Sequence, residues 1–184
     1  MNDRFKKALL KFIALTRFFC ALLFPKIPSN YTDLNFMLLK NNSFPEIISA
    51  PEADYLFVKT SGIENAGLGL FTAINIYKNE IIAIYKGEII GTKEAEERAL
   101  NKQNAYFMNL PNGKILDAQQ TDSFAKYAND ANGSLPISYK NNAFITLNHK
   151  NEVCLVALKN IKAMSEIFCS YGNAYWQNLK LANK

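Results

Sequence analysis

Hydrophobic positions change their pattern twice along this 184-residue chain. Between Ala8 and Phe24, fourteen of seventeen residues are apolar, interrupted only by Lys11, Thr16 and Arg17, and Pro25 and Pro28 follow as stops. The pattern predicts one helix within residues 1–26. Arg4, Lys7 and Lys11 share a face at helical spacing while apolar residues cover most of the remaining circumference, so this helix must dock on something apolar. Three readings stand: packing against the body, contact with a membrane surface, or a short targeting segment. Two internal charges and a length below about 20 residues argue against a plain transmembrane span, and no small-residue cleavage site is evident.

Residues 27–54 read as a connector, with Pro28, Pro45 and Pro51, polar Asn41, Asn42 and Ser43, and room for a short helix or strand at Leu34–Leu39. From Tyr55 onward short apolar runs are bounded by Gly, Asn and Lys. They predict strands at Tyr55–Lys59, Gly69–Ala73, Ile81–Tyr85, Glu88–Ile90, Lys114–Leu116, Ala143–Leu147, Val153–Leu158 and Glu166–Cys169. Two helical stretches interrupt them: Thr92 to about Gln103, with Thr92 as N-cap and acids in its first turn, and Asp122 to about Ala128. The body is therefore expected to be mainly β. No repeat of solenoid or propeller period is visible.

Composition removes several classes. With 49% hydrophobic and 12% aromatic residues the chain can bury a core, which excludes disorder as its main state. The net charge of +5 is local: residues 1–26 hold six bases and one acid, and residues 27–184 hold fifteen of each. The body is thus not a basic nucleic-acid binder, despite a pI near 9.0. Three cysteines without a CxxC pair and a single histidine cannot build a closed zinc site, so no metal is expected. An odd thiol count fits a reducing compartment, cytoplasmic or nuclear. His149, between Asn148 and Lys150, reads as an exposed turn residue and not as a catalytic base.

The candidate chemistry begins at Ala66-Gly67-Leu68-Gly69, where glycines could let a backbone approach a ligand closely. The segment enters a strand instead of opening a helix after one, which disfavours a dinucleotide fingerprint. It continues as Leu70-Phe71-Thr72-Ala73, Ile76-Tyr77-Lys78-Asn79-Glu80-Ile81-Ile82, Tyr85-Lys86-Gly87-Glu88-Ile89-Ile90 and Glu94-Ala95-Glu96-Glu97-Arg98. Then follow Tyr106-Phe107-Met108-Asn109-Leu110, Ile115-Leu116-Asp117-Ala118, Lys126-Tyr127-Ala128-Asn129-Asp130 and Glu166-Ile167-Phe168-Cys169-Ser170-Tyr171-Gly172-Asn173-Ala174-Tyr175-Trp176. In this order the blocks, over residues 55–177, resemble the SET domain, a family of protein-lysine methyltransferases that use S-adenosylmethionine.

The resemblance implies a β-clip fold of small curved sheets in which the Asn129 and Tyr171 segments cross as a C-terminal pseudoknot beneath the cofactor. S-adenosylmethionine would occupy one face and the lysine of a protein substrate, histones being the family's commonest target, would enter from the other. Ala66, Gly67, Leu68 and Gly69 would flank the cofactor's amino-acid part and Asn129 would hydrogen-bond it. Tyr106 and Tyr127 would line channel and cofactor walls, Trp176 would cover the adenine, and Tyr175 would stand beside it at the channel. Tyr171 is the expected catalytic residue, orienting amine and methyl for direct displacement while aromatic walls favour the neutral lysine.

The chain also departs from the family. Lys126-Tyr127-Ala128-Asn129-Asp130-Ala131-Asn132 stands where the family usually has Arg-Phe-Ile-Asn-His-Ser-Cys. Asp130 is therefore expected to bring extra negative charge to the adenine end of the cofactor site. Ser170 replaces the common acid before the tyrosine, and Cys169, two before it, is a small residue in the channel that leaves room for more than one methyl. Only residues 177–184 follow Trp176, too few for a cysteine-rich closing segment, so Tyr175 and Trp176, the connector or a partner chain would close the channel. Three activities follow: a lysine methyltransferase, a SET-like module that binds a protein partner without turnover, or methylation of a small amine or nucleic acid. Charge gives nucleic acid little support.

Overall fold

The computed structural model describes residues 45–133, 139–172 and 176. The helix expected within residues 1–26, the connector up to residue 44, Tyr175 and the tail 178–184 lie outside the described residues.

The short apolar runs form three small sheets. The first contains β1 (Glu46–Ile47), β4 (Glu80–Ile84), β8 (Ala143–Leu147) and β9 (Val153–Ala157), in the order β1-β4-β9-β8. Every residue of β9 is buried, as a continuous Val-Cys-Leu-Val-Ala run between two neighbours requires. β1 pairs parallel with β4, so the end of the connector already belongs to this sheet. A register shift in β4 between Ile81 and Ala83 bends the strand against β9. The second sheet orders β10 (Glu166–Ile167), β3 (Leu68–Thr72) and β2 (Leu56–Thr60), and the third orders β5 (Glu88–Ile90), β7 (Ile115–Asp117) and β6 (Phe107–Asn109).

Helices are few among the described residues. α1 (Glu52–Tyr55) is a single turn preceding β2, and α2 (Thr92–Leu100) lies between β5 and β6. Gly91, not Thr92, occupies the N-cap of α2, and no side chain caps it; Thr92 is already helical. The helix ends short of Gln103 because Lys102 turns left-handed, at φ 59°. Arg98 in its last turn reaches Asp117 on β7 at 2.5 Å, Glu88 on β5 at 2.7 Å and Glu94 at 2.6 Å, pinning the helix to the third sheet. The helix expected over Asp122–Ala128 is only a 3-10 turn, Phe124–Tyr127.

The main core joins the first two sheets and the 3-10 turn, while the third sheet packs in two smaller clusters around Phe107 and Met108. Leu70, Ile76, Ile82, Leu155 and Ile167 are fully buried and pack with Ala125, Ala128 and Cys169. Each of the large aliphatic side chains contributes about 1.5–3 kcal/mol by leaving water. Ala125 and Ala128 have almost no exposed surface, and their small size lets the 3-10 turn lie directly on β3 and β4. His149 is exposed in the β8–β9 hairpin, where Asn148 makes the turn: its side-chain oxygen accepts from the backbone N–H of Lys150 and Glu152 at 2.9 and 3.0 Å.

Candidate active site

The site grows from a chain crossing. β10 pairs antiparallel with β3, placing Glu166 opposite Phe71 and Ile167 opposite Leu70. The strand expected to continue through Cys169 stops at Ile167, and Phe168 and Cys169 instead make isolated parallel bridges to Asn129 and Ala143. The backbone N–H of Cys169 donates to the Asn129 carbonyl at 2.9 Å, and the Asn142 and Ala143 amides donate to the Phe168 carbonyl at 3.0 and 2.9 Å. The buried Asn142 side chain extends this ladder, donating to the Glu166 carbonyl at 2.8 Å and accepting from the Phe168 amide at 2.9 Å. Residues 166–169 are thereby threaded between β3, Asn129 and the start of β8.

The glycine segment is tied to the same crossing. The Asn129 side-chain amide donates to the Leu68 carbonyl at 3.0 Å, fixing the entry of β3 beside the knot. Gly67 is left-handed at φ 73°, and among the described residues a Cβ there would meet nothing within 4 Å. Gly69 has a packing reason to be small: the Glu166 carboxylate fills the place of its Cβ. That carboxylate accepts from the Ser61 hydroxyl at 2.6 Å and the Gly62 amide at 2.8 Å, shaping the loop that leads to Gly67. Ala66 in that loop packs on Ile63, Ala131 and Phe168, against the knot itself.

Asp130 lies inside the crossing. It is 4% exposed and its carboxylate accepts from four protein N–H donors. Two of those donors are the Tyr171 backbone N–H at 2.7 Å and the Trp176 indole N–H at 2.9 Å. The Tyr171 and Trp176 rings stack, 6.3 Å between centroids and 8° between planes.

Tyr106 and Tyr127 also meet, edge to face, at 6.3 Å and 66°. The Lys126 ammonium lies 5.1 and 5.3 Å from their ring centres. It donates to the carbonyls of Ala118, Gln119 and Thr121 at 3.1, 3.3 and 2.6 Å. Lys126, a departure from the family pattern, thus closes the loop between β7 and the 3-10 turn.

The sequence reading missed Tyr85. Burial pushes its phenol well above the ordinary range, with further contributions from Cys169 and Tyr171 beside it. The Cys169 thiol is fully buried, donates to the Ala128 carbonyl at 3.4 Å and is pushed up to about 12, first by burial and then by Asp130. Tyr85 packs against the cluster that holds this thiol, so the space that the small Cys169 vacates is shared with a phenol that follows β4. A tyrosine closing an apolar strand immediately before Lys86-Gly87 was the available signal.

Ala66 to Gly69, Asn129, Asp130, Cys169, Tyr171 and Trp176 therefore converge on one crossing, and Tyr85 packs both on the Cys169 core and on the Tyr106 cluster. A family model described as "SET domain" matches residues 67–172. Among solved structures, the chain is similar to "ctPRC2 in an autoinhibited conformation bound to S-adenosylmethionine", with 25% identity and a TM-score of 0.53. That likeness covers 70% of this chain and only 16% of the other, so it concerns one part of a much larger protein. No curated protein matches. The family match runs from the glycine turn through α2 and the threaded crossing to Tyr171, over more than half of the sequence, and this chain belongs to the SET-domain family.

Proposed function

We propose that this chain is a protein-lysine N-methyltransferase that uses S-adenosylmethionine, with the lysine of a protein such as a histone as acceptor. The observation that carries the reading is the convergence of the Gly67-Leu68 turn, Asn129, Tyr171 and Trp176 through direct hydrogen bonds and a ring stack. These groups fit the cofactor's parts. Among the described residues the turn at Gly67 leaves space for its amino-acid end, Asn129 supplies an amide beside it, and Trp176 offers an aromatic plane to adenine.

When bound, the cofactor supplies an electrophilic methyl on a sulfonium. The protein's part is alignment and water exclusion, since displacement at carbon needs an oriented neutral amine more than a strong base. Tyr171, held at its backbone by Asp130, orients the amine. Tyr85 remains a neutral phenol because of its burial, and the same desolvation disfavours a charged amine beside it, while Tyr106 and Tyr127 already carry the Lys126 ammonium on their faces. Cys169 keeps its proton under the same burial and takes no nucleophilic part.

A competing reading, a binding module without turnover, would follow if the departures at Lys126 and Asp130 spoiled the site. Lys126 is engaged by three backbone carbonyls and Asp130 by four N–H donors, so the site's own fold accommodates both departures. The test is incubation of the purified chain with labelled S-adenosylmethionine and mixed histones or lysate, beside Tyr171→Phe. Transfer by the wild type that drops at least about 100-fold in the variant is the expected result, in the range of lost transition-state alignment. Calorimetric cofactor binding with no transfer to any substrate would sink the enzyme reading.

A further inference from the structure

We propose that Asp130 is a positioning residue that latches Trp176 and the Tyr171 backbone together, so that the cofactor cover and the orienting tyrosine form one unit. The proposal rests on the methyltransferase reading and deepens it. An ionised carboxylate is an acceptor with about four lone-pair sites, whereas a neutral imidazole offers one acceptor nitrogen. At Asp130 four N–H donors converge. Oδ1 accepts from the Asn132 amide and the Asn141 side chain, both at 2.9 Å. Oδ2 accepts from the Tyr171 amide at 2.7 Å and from the Trp176 indole at 2.9 Å.

The two sides of the carboxylate serve different ends. Through Oδ1 it is fixed to its own turn, Ala131–Gly133, and to Asn141 just before β8. Through Oδ2 it holds two positions five residues apart whose rings already stack in near-parallel planes. An indole nitrogen can only donate, so its bond requires an acceptor at this place. Histidine, the residue usual here in the family, could not serve all four donors at once. The aspartate is therefore a different way of fixing the same crossing.

Trp176 is the only tryptophan, which gives the latch its own reporter. In a 15N-labelled sample of the full chain its indole yields one N–H resonance. In the wild type this proton should exchange with solvent at least tenfold more slowly than in an exposed tryptophan. In Asp130→Ala the resonance should move to the exposed position, cofactor Kd should rise about tenfold and kcat fall about tenfold, with KM for the protein substrate unchanged. Trp176→Phe keeps a ring but lacks the donor and should reproduce the kinetic split, which serves if the alanine variant does not fold. An unprotected wild-type indole, or a folded Asp130→Ala with its resonance unmoved, overturns the latch. A chain that binds no S-adenosylmethionine yet protects the indole overturns the methyltransferase reading and leaves the latch standing.

Discussion

Gly69 and Glu166 should be energetically coupled, and the size of the coupling follows from their contact. A Cβ on Gly69 would fall on the Glu166 carboxylate, with Cδ at 2.9 Å, and would stand 3.2 Å from the Ser61 Cα. Glu166 is 8% exposed, so displacement cannot simply release it into water. Moving it loses its bonds to the Ser61 hydroxyl and the Gly62 amide, each about 1.5–3 kcal/mol for a charged acceptor. Alanine recovers about 0.4–1 kcal/mol through the unfolded chain, so Gly69→Ala should cost about 2–5 kcal/mol. In a Glu166→Ala background the two nearest obstacles are gone and the Ser61 Cα at 3.2 Å comes next, so the same substitution should cost under about 1 kcal/mol. The coupling energy should then be at least about 2 kcal/mol. Urea denaturation of the two single variants and the double variant measures it. Gly67→Ala is the control: its new Cβ meets no described residue within 4 Å, and at φ 73° it should cost about 1–2 kcal/mol whether or not Glu166 is present. Additivity of Gly69→Ala and Glu166→Ala within about 0.5 kcal/mol would refute the packing argument.

Lys126→Met should lower stability by about 2–3 kcal/mol, because three carbonyls lose a charged donor; thermal melts measure this, and a loss under about 0.5 kcal/mol contradicts the assignment. Stability should also fall in alkali. Cys154 and Cys169 are both pushed up to about 12, chiefly by burial, so the folded chain keeps protons that the unfolded chain releases from about pH 8.5. Their contribution is complete below that pH and is lost as pH rises toward 12, at about 1.4 kcal/mol per pH unit for each thiol. Urea midpoints between about pH 7 and 11 should show the decline; a flat profile rejects it. In a Cys20→Ser background, neither remaining thiol should react with a disulfide reagent at about pH 8 until the chain unfolds.

Some elements were legible because their cause is local. Glu88–Ile90 and Ala143–Leu147 match the sequence expectation residue for residue, and Val153–Ala157 differs by one. Phe107–Asn109 was read only as part of a motif, since three residues carry no period and the strand exists through pairing with Ile115–Asp117. Glu46–Ile47 is exposed on both residues and becomes a strand only because β4 offers an edge. Thr92 failed as a cap because Gly91 already holds the extended conformation that a cap requires.

The sequence by itself determined the mainly β body, the local seat of the +5 charge and, through the order of its motifs, the family. It also named Asn129, Tyr171 and Trp176 before any contact was known. Only the tertiary structure decided what Asp130, Gly69, Lys126 and Tyr85 do. Their partners lie 41 and 46 residues away for Asp130, across a sheet for Gly69, and in the core for Tyr85. Whether a buried carboxylate burdens a site or holds it together depends on which donors the folded chain brings to it. No single stretch of sequence contains those donors.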